Sequence, residues 1–82
     1  MIPDNILEEC LDKVDMTIMN TYKKNENKNF DEIKLQLSKD YDKLLFDCLS
    51  EKNVVHMLKP ENKSDLTTTK IELRKAECLN KY

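Results

Sequence analysis

Among the side chains that could do chemistry, the single histidine, His56, comes first, because imidazole titrates closest to neutral pH. It follows Val54 and Val55. The nearest upstream carboxylate, Glu51, is five residues away rather than the four that would set it alongside on a helix. Without an orienting carboxylate or a paired nucleophile, no acyl-transfer set assembles around His56, which reads as a surface or boundary residue. Cys10, Cys48, Cys78 and His56 have the formal composition of a Cys3His zinc site. Structural zinc sites, however, draw their cysteines from closely spaced knuckles that this chain lacks. The three cysteines read as small apolar core residues. Paired carboxylates such as Glu8 with Glu9 and Asp40 with Asp42 lie among lysines on solvated faces, with no sign of the desolvation that tunes a catalytic acid. A glycine-rich phosphate loop is excluded, since the chain contains no glycine. No enzymatic activity, metal or cofactor is expected.

The elements that must position these residues are helical. With no glycine and prolines only at positions 3 and 60, the residues that build tight hairpins are missing, and the β-rich classes lose their punctuation. The 82 residues make one domain, near the low end of sizes that bury a sufficient core. The 39% apolar content is still enough to offset the entropy of ordering. Ile6, Leu7, Cys10, Leu11, Val14, Ile18 and Tyr22 recur at three- and four-residue steps and predict a first helix opened by Pro3 and Asp4. Met16 and Met19 lie off the centre of that stripe. Lys23 to Lys28 is a polar connector, and Asn29 with Glu32 forms a capping-box pattern that starts the second helix.

That second helix organises the chain. Phe30, Ile33, Leu37, Tyr41, Leu44, Cys48, Val55 and Leu58 share one side at 100° per residue, while Leu35, Phe46 and Met57, spaced eleven apart, line the opposite side. The apolar period resumes in phase after Asn53, so a continuous helix over Asn29 to Leu58 is expected, with a break at Asn53 as the alternative. Lys59 to Lys63 reads as a loop and Ser64 or Asp65 as the cap of a third element. Thr67 to Arg74 fits either a strand or a helix. As a helix it is apolar on two sides, Leu66, Thr69, Leu73 and Ala76 facing away from Ile71, Cys78 and Tyr82. The expected fold is an all-α three-helix bundle with a long central helix, its core completed within the monomer or by oligomerisation.

The net charge of −2 is unevenly spread: residues 2–22 carry −4 and residues 59–82 carry +2. Thirteen of the fourteen cations are Lys, and Arg74 is the sole guanidinium, a poor endowment for bidentate recognition of phosphate or bases. No run approaches the length of a membrane span, and residues 1–4 lack the pattern of a secretory leader. With an odd number of cysteines, this points to a soluble intracellular protein, in cytoplasm or nucleus, with free thiols. The functional expectation is a protein–protein interaction module, either a homo-oligomer or an adaptor, subunit or inhibitor of a larger assembly, a viral origin included. Leu35, Phe46, Met57, Ile71 and Tyr82 are its candidate anchors, because an aligned set of exposed apolar residues requires a cover. The alternative is a small nucleic-acid binder whose outline resembles a histone-fold or helix-turn-helix protein, using Lys70, Arg74, Lys75 and Lys81.

Overall fold

The computed structural model describes residues 2–25, 29–57 and 66–81. They form three helices, α1 (Asp4–Lys24), α2 (Phe30–Glu51) and α3 (Leu66–Asn80), with a 3-10 turn at Val55–Met57. The chain is thus an all-α bundle, and Thr67 to Arg74 belongs to a helix. The loop expected at Lys59 to Lys63, the cap at Ser64 or Asp65, and Leu58 all lie outside the described residues.

The ends of α1 and α2 have local causes. The carbonyl of Pro3 accepts from the amides of Ile6 and Leu7, opening α1 where proline's missing N–H is no loss. Helix α1 continues through Lys23 and Lys24, which the connector was expected to hold; both cations sit in its last turn, where the helix dipole favours them. At the start of α2, Asn29 Oδ1 accepts from the amides of Asp31 at 2.9 Å and Glu32 at 3.4 Å, as the capping pattern implies.

The end of α2 corrects the expectation of continuity to Leu58. Helix α2 stops at Glu51, and Asn53 takes a left-handed backbone with φ of 59°. The amide of Val54 donates to the Leu49 carbonyl and that of Asn53 to the Ser50 carbonyl, both at 3.0 Å. These two bonds form a Schellman cap, with asparagine in the place glycine usually takes. Val54 turns inward beside Leu49, supplying the apolar contact that accompanies this cap. Val55, the in-phase apolar residue after Asn53 that is described, therefore belongs to a separate turn.

Helices α1 and α2 form an antiparallel hairpin with α3 laid across it. Cys10 is bonded to Cys48, and Lys52 Nζ lies 3.1 Å from Glu9, which places the start of α1 beside the end of α2. Helix α3 runs antiparallel to α2, with Lys34 beside Asn80 and Asp42 beside Lys75, and parallel to α1. The core joins Leu7, Leu11, Val14 and Ile18 of α1 to Ile33, Leu37, Tyr41, Leu45 and Leu49 of α2 and to Ile71, Cys78 and Leu79 of α3. The α1 stripe is as expected. On α2 the inward face is rotated slightly: Leu45 and Leu49 are buried, whereas Leu44 is only partly so.

The Cys10–Cys48 disulfide corrects the expectation of three free thiols, on which the expectation of a reducing compartment rests; Cys78 remains free and buried. The two positions meet because the hairpin folds near Asn29, roughly midway between them. Cross-linking residues 38 apart is worth about 4 kcal/mol in the chain-entropy account, a large contribution for a core this small.

Leu49→Ala is expected to destabilise the fold by about 2 to 5 kcal/mol, as a fully buried deletion does, and Leu44→Ala by less than half as much. Urea unfolding of both variants measures the difference, and equal losses would place Leu44 as deeply as Leu49.

Candidate functional site

Four large apolar side chains stand in solvent among the described residues: Met16, Leu35, Phe46 and Leu73. Leu35 and Phe46 are the two that share a helix face, exposed at 62% and 56%. Eleven residues separate them, which brings them to within about 20° of each other around α2 and some 16 Å apart along it. Lys39 and Asp42 occupy the same face between them, both exposed. Asp42 is held in place by α3, since Lys75 Nζ donates to its two carboxylate oxygens at 2.9 and 3.0 Å. Lys39 has no ion-pair partner among the described residues.

The remaining expected anchors do not join this face. Ile71 is 8% exposed and packs in the core, a correction to its role as an anchor. The other apolar side of α3 faces solvent instead, so Leu73 is the exposed residue there, at 57%. Met57 leaves the α2 stripe because the helix ends at Glu51, and its side chain lies outside the described residues. Tyr82 also lies outside them.

The orientation of α3 is set by charge. Arg74 Nη1 donates to Glu8 at 2.9 Å, and Arg74 Nη2 donates to Asp12 at 3.0 Å and to Asp15 at 2.7 Å. Lys70 pairs with Asp4 at 2.8 Å and also with Glu8. The acidic excess of α1 and the basic excess of the C-terminal segment thus meet each other. This arrangement moves the pKa values of its members. The Lys70 hydrogen bond, aided by Arg74, holds the Glu8 carboxyl below its ordinary 4.5. Glu9 is lowered by Lys52, and Lys70 is raised by Asp4 and Glu8. Arg74 is raised further still, first by Asp15, so it stays charged throughout.

Beneath Arg74, three polar groups meet the core. Tyr41 is fully buried, and burial followed by the nearby Asp15 carboxylate pushes its phenol well above the ordinary value. Tyr41 Oη and Asp15 Oδ1 are buried without a hydrogen bond of good geometry among the described residues. Burial and the same carboxylate push the Cys78 thiol up to about 11, so it is protonated at neutral pH and lacks thiolate character. Because Cys10 and Cys48 are bonded to each other, the formal Cys3His set has lost two thiolates, and His56 is exposed. No three metal-ligating side chains gather among the described residues. An open cleft of about 320 Å³ lies between the end of α1 and the start of α2, with Ile33 and Leu37 inside and Thr21, Asn25, Glu32 and Gln36 around them.

No described helix is long and apolar enough to cross a membrane. Compared with protein-family models, curated proteins and solved structures, the chain matches none.

Acid should weaken the docking of α3. Glu8, lowered in the folded chain, contributes stability that is present above pH 4.5 and lost as pH falls through its folded value. Lys70, raised, contributes stability present below 10.5 that is lost as pH rises through its folded value. Melting temperature is therefore expected to drop as pH falls below about 5, and to drop less in Lys70→Met. A Lys70→Met profile parallel to the unmodified protein's would remove this pair from the acid response. Tyr41→Phe is expected to leave stability unchanged or slightly higher, because it deletes a buried hydroxyl with no well-aligned partner. A loss above about 1 kcal/mol in the same unfolding assay would show that the hydroxyl is bonded in solution.

Proposed function

We propose that this chain is a small, non-enzymatic helical interaction module, a subunit or an accessory or inhibitory factor that buries the outer face of α2 against a partner chain. The observation that carries this reading is the exposure of Leu35 and Phe46 on one face of α2. Covering a side chain of that size is worth roughly 1.5 to 3 kcal/mol. Two of them supply about 3 to 6 kcal/mol, so a partner must also engage the polar groups around them to reach micromolar affinity. Lys39 and the anchored Asp42 are placed for that. A partner of this face is expected to be apolar at two points and charged between them.

The nucleic-acid alternative draws less support. It relied on Lys70, Arg74, Lys75 and Lys81, and three of those four are engaged with Asp4, Glu8, Asp12, Asp15 and Asp42 within the chain. Releasing them to bind phosphate would expose the carboxylates of α1, whose field repels a polyanion.

The double variant Leu35→Asp, Phe46→Asp tests the interaction reading. It is expected to keep native helicity, since both side chains are solvent-exposed, and to abolish association seen by light scattering or sedimentation. Met16→Asp, at an equally exposed apolar residue of α1, serves as the control and is expected to change neither. Association that survives the double variant, or an unfolded double variant, would overturn the reading.

A further inference from the structure

We propose that the partner of the α2 face is a second copy of this chain, docked so that the two α2 helices run antiparallel about a two-fold axis passing between Lys39 and Asp42. This rests on the interaction reading above and names its occupant.

The face itself supplies the argument. Its four residues, Leu35, Lys39, Asp42 and Phe46, lie within about 60° of one another around α2. They are symmetric in kind: apolar, charged, oppositely charged, apolar. When two such helices pack antiparallel about that axis, Leu35 of each copy meets Phe46 of the other. Lys39 of each copy meets Asp42 of the other. Two apolar contacts then flank two ion pairs, and every residue of the face finds a complement in the isologous arrangement that two-fold dimers use. Parallel packing in register gives the opposite result, with Lys39 on Lys39 and Asp42 on Asp42. The charges therefore select direction and register while Leu35 and Phe46 supply the buried area, a division of labour typical of paired helices.

The placement of Asp42 supports the same arrangement. Lys75 Nζ holds its carboxylate through two hydrogen bonds, yet the side chain remains 62% exposed. A carboxylate oxygen can accept more than one donor, so Asp42 is an oriented acceptor with room for a second cation. Lys39 lies one turn away, exposed and without an ion-pair partner among the described residues. Donor and acceptor on one helix point outward together and are left for another helix to satisfy.

A charge-reversal experiment separates this from any other use of the face. Lys39→Asp and Asp42→Lys are made as single variants, with helicity and melting temperature recorded for each, because Asp42→Lys also removes the Lys75 contact. Sedimentation equilibrium across a broad concentration range is expected to show a dimer for the unmodified protein. The dimer dissociation constant is expected to rise at least tenfold in each single variant. Mixing the two variants should restore a dimer. In the mixed pair the carboxylate introduced at position 39 of one copy faces the ammonium introduced at position 42 of the other, while the unaltered Asp42 of the first still faces the unaltered Lys39 of the second. An unmodified protein that stays monomeric at every concentration overturns the second copy as occupant and, with it, the self-association that the double apolar variant reads, leaving a foreign chain as the occupant the interaction reading requires. A dimer that ignores charge reversal but is lost with Leu35→Asp, Phe46→Asp overturns the antiparallel register alone. A dimer indifferent to both sets of substitutions overturns this proposal and the reading beneath it.

Discussion

Helix α3 depends on one guanidinium. Arg74 reaches Glu8, Asp12 and Asp15 along one side of α1, which are one and two turns apart, and Lys70 extends the same contact to Asp4. A lysine meets carboxylates as a point charge, as Lys70 does with Asp4 and Glu8. The forked guanidinium spans several, which explains why the single arginine of a lysine-rich chain sits here. Exposed ion pairs contribute little stability one at a time. Their effect here is rotational. Helix α3 is apolar on two sides, so burial alone would permit either Ile71 with Cys78 or Leu73 with Ala76 to face the core. Pairing Arg74 with α1 admits only the first, and the uneven charge of the chain is thereby read out as structure.

A second constraint is the missing glycine. A helix that must stop and turn needs a residue tolerant of left-handed backbone, and asparagine is the next best choice. Asn53 takes that place, and the Schellman cap that it permits sends Val54 into the core beside Leu49. The break also settles the extent of the outer α2 face: Phe46 is its last apolar member, and the residues after Asn53 start a new direction. The disulfide works at the same end of the molecule, tying Cys10 to the last turns of α2 close to where the helix unwinds.

How much of this was legible in the sequence depended on whether a pattern had one solution. The stripe of α1 did, because its opposite face is polar apart from its methionines, and the buried residues are those the spacing names. Helix α2 has apolar residues on two sides, so periodicity locates the core face only to within one position and points to Leu44 where Leu45 and Leu49 are the buried ones. Ile71 was misassigned for the same reason, and the missing information was tertiary, the match between Arg74 and the acids of α1. The signal was present as the −4 and +2 of the two chain ends, but a charge sum does not say whether its partner is internal. The disulfide was hidden differently. Cys10 and Cys48 lie on the two inward stripes at nearly equal distances from Asn29, so folding the hairpin there brings them together. Counting cysteines without folding the hairpin leaves them apart.

The exposure of Leu35 and Phe46 follows from the width of the bundle. A third helix lies in the groove of an antiparallel pair and covers one side of it, and α3 is held toward α1 by four carboxylates of that helix. It packs against α2 as well as α1, and Lys75 to Asp42 and Lys34 to Asn80 mark the edge of that contact. The α2 residues one step further around, Leu35 and Phe46, are then just beyond its reach. The ion pairs that fix the rotation of α3 in that groove therefore leave the outer α2 face outside what any described helix covers.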